Sequence, residues 1–318
     1  MSVFNQVKYR VFMQDNNSFP LNMIERITAH PENYRLLEKI PLTITGVDTH
    51  FPIVLNDPLP NEKVYSVVFL DTETTGMDPV KNKIIELGMV KATFSLDRKL
   101  LLTVDRYYDE FEDPNEPIPP EITELTHITD DMVAGHHFDD EMVARFLTGR
   151  PLVVAHNAAF DRPFFEKRFK SLTTLSWACS LKEIPWKKLG YSSAKLEFLN
   201  MVLGYFYDAH RAYVDCLALL WIMFKVPAAF SELVSSALSC SYRVIIRGNT
   251  FKFKDNLKEK GFRFDGGTVK TWSRYYQDED EASRVKQIIE DTYKDGSVDF
   301  DIRIVEYKAK TRYKLENN

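Results

Sequence analysis

The chain predicts an α/β protein: a mixed sheet with helices on its faces, followed by a small α+β domain. Three observations carry that expectation. Apolar runs of strand length come first and alternate with helical periodicities only later, which is the order of a mixed sheet flanked by helices. Val67-Val68-Phe69-Leu70 places four apolar residues in succession, the pattern of a strand buried on both faces. The strand-then-helix pattern restarts at Tyr242, setting residues 241–318 apart. A chain of 318 residues is long enough for two domains or one with an appendage.

Composition narrows the class. With 44% hydrophobic and 27% charged residues the chain matches soluble globular proteins. No apolar run approaches the roughly 20 residues that span a bilayer. The opening MSVFNQVKYR leads into no apolar core, so no signal peptide is expected. Cys179, Cys216 and Cys240 lie far apart in no metal-ligand spacing. They are expected to be free thiols in a reducing, cytoplasmic setting. The net charge of −5 is unevenly spread. Residues 241–318 hold 17 Lys and Arg against 14 Asp and Glu, and residues 1–240 hold 24 against 32. Within 243–274 nine basic residues face three acidic ones, which suits either a polyanionic partner or a solvated face.

In chain order, Ser18 can cap a helix through Leu21, Met23, Ile24 and Ile27. Pro31 fits the first turn of a second helix carrying Tyr34, Leu36, Leu37 and Ile40, stopped at Pro41. With the proline-rich loop 41–63, these make residues 1–63 an N-terminal helical appendage of no legible function. The main domain is expected over 64–230. Its strands are 65–71, 83–94 and 101–108, antiparallel by their short connections. Asp139 can cap a helix through Met142, Val143 and Phe146 that ends at Gly149. Residues 151–155 read as a buried fourth strand, and a helix from about Ala158 carries Phe164, Phe165 and Phe169. Trp177 to Ser180 reads as a fifth strand, with helices over 194–203 and 211–225.

Three stretches carry chemistry. Asp71 and Glu73 end the first main strand, two residues apart and therefore on one side. Two carboxylates held together repel unless a cation sits between them, and a hard divalent ion with oxygen ligands is the usual solution. A strand merely ending in polar residues is the plain alternative for this pair alone. Asp161 follows in His156-Asn157-Ala158-Ala159-Phe160-Asp161, near a helix start where a carboxylate is favoured by the dipole anyway. Asp215 lies on a strongly apolar helix, where a carboxylate is costly unless paired or metal-bound. His210 stands five residues before it on a looser segment, able to approach a metal or water.

D-x-E at a strand end, H-N-A-A-F-D after a later strand and H-x4-D opening a late helix resemble the three motifs of the DnaQ-like DEDDh exonuclease family. That family includes the proofreading epsilon subunit of bacterial DNA polymerase III. The resemblance covers roughly residues 64–226 and includes L-T-H-I-T-D-D-M-V at 125–133. It implies an RNase H-like fold. It also implies that Asp71, Glu73, Asp161 and Asp215 hold two Mg²⁺ or Mn²⁺ ions and that His210 is the general base. Met77 stands where the family commonly has Leu, a residue that wedges against the terminal base; Met fits that role. Thr72, Thr74, Thr75, Gly76, Asn157 and Phe160 are candidates to cradle the last nucleotide, with turn geometry and packing an equally good account. His127 and His156 are expected to be structural or to lie on the substrate side. The implied activity is 3′–5′ removal of nucleoside monophosphates from nucleic-acid ends, with single-stranded DNA the expected partner. Neither a clamp-binding Q-x-x-L/M-x-F peptide nor a long polymerase-binding tail is evident, which favours a free-standing enzyme. A polymerase-bound proofreading subunit and an RNA-trimming enzyme remain alternatives, because these motifs handle phosphates rather than the 2′ position.

In residues 241–318 a strand (Tyr242–Arg247), a short helix (254–261) and a hairpin around Asp265-Gly266-Gly267 come first. A helix over 279–294 and a strand from Phe300 to Tyr307 follow. The order β-α-β-β-α-β is compatible with a ferredoxin-like fold. The stretch is similar to small domains with a K-D-x-L-K-x-x-G-F-x-F/W…W pattern that are appended to bacterial nucleic-acid enzymes. Phe251, Phe262, Phe264, Trp272, Tyr275 and Tyr276 interleave with Lys252, Lys254, Arg263, Lys270 and Arg274. Such interleaving suits single-strand binding. Phe262, Phe264 and Trp272 are expected to serve the core of this domain first.

Overall fold

The computed structural model describes residues 21–43, 50–266, 270–294 and 299–315, in two compact units divided between Leu37 and Glu38. The first unit holds a 3₁₀ turn (Leu21–Met23), helix α1 (Ile24–Ala29) and a second 3₁₀ turn (Pro31–Asn33). Ser18, the expected cap, lies outside the described residues. The second expected helix does not form. After Asn33 the chain extends, with Tyr34 at φ −127°, ψ 150°. Pro41 disfavours helical backbone at Ile40. The backbone instead pairs with a distant strand, Glu38 N–H donating to Gly204 O (2.9 Å) and Ile40 N–H to Phe206 O (3.0 Å).

The second unit begins with β1 (Glu38–Lys39) and β2 (Ile53–Val54), then the long strands β3 (Val64–Thr74), β4 (Ile84–Ser95) and β5 (Leu100–Phe111). Next come α2 (Pro120–Thr126), α3 (Asp130–Val133), α4 (Asp140–Phe146), β6 (Leu152–Ala155) and α5 (Ala158–Arg168). Then follow β7 (Ser176–Cys179), α6 (Ser180–Glu183), α7 (Leu196–Val202), β8 (Tyr205–Phe206), α8 (Ala212–Lys225) and α9 (Pro227–Leu238). The main sheet has the order β2-β5-β4-β3-β6-β7, antiparallel from β2 to β3 and parallel from β3 to β7. This is the mixed sheet of the expected RNase H-like fold. Strand β2 forms an edge of this sheet, and β1 pairs with β8 in a separate two-stranded sheet. Asp139 caps α4 as expected, its side chain accepting from Met142 N–H.

Burial of β3 on both faces explains its unbroken apolar run. Val67 and Phe69 pack with Leu217, Leu220 and Phe230 of α8 and α9, whereas Val68 and Leu70 pack with Val143, Phe164 and Phe165 of α4 and α5. The two helical layers thus grip the strand that ends in Asp71 and Glu73. Helix α9 goes beyond the helices expected from the sequence. Its signals are there all the same: Pro227 at the first position and apolar Phe230, Leu233 and Val234 at helical spacing. Among the described residues no single helix is long and apolar enough to cross a membrane.

The last segment comprises β9 (Ser241–Gly248), α10 (Lys254–Glu259), β10 (Arg263–Asp265), β11 (Thr271–Tyr276), α11 (Glu279–Tyr293) and β12 (Phe300–Tyr307). Its sheet order β10-β11-β9-β12 is antiparallel throughout, the arrangement of a ferredoxin-like domain. Gly267 and Val269 of the expected hairpin lie outside the described residues. Two arginines bind the chain after β12 to the larger domain. Arg162 of α5, wholly buried, pairs with Glu166 (2.8 Å) and donates to the carbonyls of Ala309 (3.1 Å), Lys310 (2.8 Å) and Arg312 (2.6 Å). Arg312 in turn pairs with buried Glu183 of α6 (2.8 Å) and donates to Ser239 O (3.1 Å). Buried guanidinium groups are tolerable only when their donors are satisfied this completely.

Candidate active site

The end of β3, the start of α5 and the start of α8 converge on one cleft of about 430 Å³. Asp71, Glu73, Asp161, His210 and Asp215 all line it, so the five residues singled out from three separate stretches come together. Carboxylate oxygens of Asp71, Glu73 and Asp215 lie within 4.8 Å of one another. Asp161 is oriented separately: its Oδ1 accepts from Thr72 N–H (3.2 Å) and Thr72 O–H (3.0 Å). Asp215 Oδ2 accepts from the backbone N–H groups of His210 (2.9 Å) and Arg211 (3.2 Å), and Oδ1 accepts from the Tyr207 hydroxyl (3.2 Å).

Crowding like charges in a poorly hydrated site favours the protonated forms. Burial, then the charges of Asp161 and Asp215, hold Asp71 well above the usual carboxylate range. Burial, then Asp215 and Glu86, push Glu73 up to about 8. Burial raises Asp161 to about 7 against the hydrogen bonds from Thr72, and raises Asp215 to about 6. A cluster of oxygen donors that retains protons near neutrality is short of positive charge. That donor chemistry fits a hard divalent cation, with Asp71, Glu73 and Asp215 the group placed to hold one.

A brace that the sequence reading did not single out sets the third arm. Glu86, on β4 directly across from Glu73, accepts from Ala212 N–H at the start of α8 (3.0 Å) and pairs with Arg211 (2.8 Å). Gly88, across from Asp71, lets α8 lie against the strand; a Cβ there would come within 2.3 Å of the Ala212 carbonyl carbon and the Tyr213 nitrogen. Gly88→Ala is therefore expected to push α8, and Asp215 with it, away from Asp71. Overpacking of this kind costs about 1–3 kcal/mol. Thermal denaturation should show the loss together with a fall in turnover; an unchanged protein on both counts would remove Gly88 from the account.

The remaining candidates divide. Thr72, Met77, Asn157 and Phe160 line the cleft, Met77 with 78% of its surface exposed at the rim. Thr74, Thr75 and Gly76 serve the turn. Thr74 O–H donates to Gly76 O (2.7 Å), Thr75 Oγ1 accepts from Lys83 N–H (3.1 Å), and a side chain at Gly76 would strike Asn82. His156 lines the cleft with both ring nitrogens engaged, by Ser180 Oγ (2.9 Å) and Ala194 O (2.8 Å), and burial pushes it down to about 4. His127 ends α2 in the left-handed conformation, a structural position.

Comparison with known proteins bears on this site. Residues 68–223 match the family model described as Exonuclease. The chain is similar to DNA polymerase III PolC-type of Clostridium perfringens, 36% identical over 173 residues covering 53% of this chain and 11% of that one. It is also similar to the PolC-type enzyme of Halalkalibacterium halodurans, 35% identical over 218 residues covering 63% of this chain and 14% of the other. The chain thus spans a small part of these relatives' length. A solved structure of exonuclease X in complex with 5′-overhanging duplex DNA is similar with a TM-score of 0.38 and 22% identity, over 53% of this chain and 98% of that one.

Proposed function

We propose, from the match of residues 68–223 to the exonuclease family model, that the chain removes nucleoside monophosphates from the 3′ ends of DNA, using two divalent ions, Mg²⁺ or Mn²⁺. The observation that carries this reading is the convergence of Asp71, Glu73, Asp161, Asp215 and His210 in a single cleft. Asp71, Glu73, Asp161 and Asp215 would hold the ions. When bound, these supply Lewis-acid activation of water and stabilise the charge that develops on phosphate and leaving oxygen. The protein's own residues do the rest. The His210 ring, exposed at the cleft, accepts the proton of the attacking water. Its backbone N–H meanwhile fixes Asp215. Met77 and Phe160 offer apolar surface to the terminal base, and Asn157 offers a polar group to the sugar or phosphate. DNA as substrate follows the PolC-type relatives, which are named as DNA polymerases.

The test is incubation of purified protein with 5′-labelled single- and double-stranded DNA and RNA, with Mg²⁺, Mn²⁺ or EDTA. A ladder shortening from the 3′ end of DNA, lost in EDTA, is expected. Internal cuts, metal-independent cleavage or RNA-only activity would overturn the reading. The polymerase relatives favour a second arrangement, in which the chain proofreads beside a polymerase. Activity of the isolated protein supports free-standing action, and activity only on adding a polymerase supports that second arrangement.

A further inference from the structure

The small C-terminal domain carries a second cavity, of about 460 Å³, that the chemistry above does not use. Its walls include Phe251, Phe264, Trp272, Lys254, Lys258 and Lys270, and among the described residues no carboxylate lines it. The aromatics are not all required by the core. Of the two phenylalanines in Phe251-Lys252-Phe253, Phe253 is buried and stacks on Tyr293 with centroids 4.3 Å apart. Phe251 turns outward with 75% of its surface exposed. Phe264 leaves 51% exposed while its ring lies 5.1 Å from Trp272. The Trp272 indole is pinned by donating to Thr250 Oγ1 (3.0 Å), which keeps this wall fixed. Lys254 Nζ sits 4.5 Å from the Phe251 ring centroid.

Exposed rings in a concave site mark a binding surface. Lys258 is paired with Asp255 (3.4 Å), and Lys254 and Lys270 add positive charge at the same pocket, which calls for an anion. A free phosphate would leave the rings unused, and an apolar peptide would leave the lysines unused. Unpaired bases strung on a phosphate backbone use both, and a duplex would hide the base faces that stacking needs. We propose that this pocket grips the unreacted part of a single DNA strand while the carboxylate cleft trims its 3′ end. This inference rests on the reading of the chain as a DNA exonuclease. It also absorbs the K-D-x-L-K…F…W pattern, whose Lys254, Lys258, Phe264 and Trp272 meet here.

Deleting residues 241–318 would not test it, because Arg162 would lose the carbonyls that satisfy it. Point variants of the full chain avoid that. The pocket residues Phe251, Lys254 and Lys270 are replaced together as Phe251→Ala, Lys254→Glu and Lys270→Glu. Binding of a fluorescent dT30 strand is read by anisotropy in the Asp71→Asn background, with Mg²⁺. Hydrolysis of dT30 and of a dinucleotide is read in the active protein. The triple variant should bind dT30 at least fivefold more weakly and show a raised KM on it, with dinucleotide hydrolysis unchanged. Its affinity should also fall less steeply with salt, by a log–log slope of about 1.4 for two lost phosphate contacts at about 0.7 each. Unchanged dT30 affinity, or equal losses on long and short substrates, would overturn the proposal. If the unaltered protein cleaves neither substrate yet the anisotropy loss is seen, the pocket stands and the exonuclease reading fails.

Discussion

Asp71→Asn is expected to leave a folded protein with almost no hydrolytic activity. Asp71 stands at the centre of the cluster, within 4.8 Å of Glu73 and Asp215 through its oxygens and electrostatically coupled to Asp161. Asparagine keeps the shape and removes the charge that attracts a cation. Losing several kcal/mol of charge stabilisation corresponds to about three orders of magnitude in turnover. The metal-free variant should also melt at a higher temperature than the unaltered protein. Glu73, Asp161 and Asp215, at about 8, 7 and 6, all lie above the ordinary carboxylate range of an unfolded chain. The folded state therefore binds more protons than the unfolded one. The stability this represents is complete below about pH 4 and is lost as pH rises through about 8. In EDTA the unaltered protein should lose melting temperature across that window, and the variant should lose less. Added Mg²⁺ should restore the unaltered protein most at the alkaline end. Half or more of normal turnover in the variant, in Mg²⁺, would exclude a central role for Asp71.

The residues that carry charge into the cleft were legible because local periodicity exposes them. A two-residue spacing at the end of an apolar strand sends Asp71 and Glu73 the same way, and an acid inside a run as apolar as α8 stands out. What steadies them was not legible. Glu86 sits in Ile84-Ile85-Glu86-Leu87-Gly88 and reads as one polar residue on a strand. Only the antiparallel register sets it across from Glu73 and under the first turn of α8. Gly88 gave no signal for the same reason, since its contact is with the backbone of residues 212 and 213. The chain after β12 was silent because it holds Arg162 through carbonyl groups, which every residue has. Helical propensity around Tyr34–Ile40 misled because Glu38 and Ile40 donate backbone hydrogen bonds to a strand more than 160 residues away. For the turn Thr74–Gly76 the sequence left substrate contact and turn geometry equally open, and the hydrogen bonds of Thr74 and Thr75 supply the turn geometry.

His210→Asn is expected to separate the two jobs that one residue does. His210 precedes α8 at φ +66°, a left-handed conformation in which Asn is among the better tolerated side chains. Its backbone N–H holds Asp215 Oδ2 at 2.9 Å, and Asn retains that bond. The imidazole, exposed on the cleft, is what the substitution removes. Melting temperature and metal affinity should therefore stay close to those of the unaltered protein. Turnover should fall by about 10²–10⁴, the usual cost of losing a general base, with little change in KM. The defect should narrow as pH rises, because hydroxide then needs no base to form it. His210→Gly, which also suits the left-handed backbone, should reproduce the loss and recover partly on addition of free imidazole. Initial rates on a 5′-labelled strand from pH 6 to pH 10 would decide the matter. A variant that binds DNA poorly but turns it over at the normal rate would make His210 a substrate contact, and the proton would have to leave by another route.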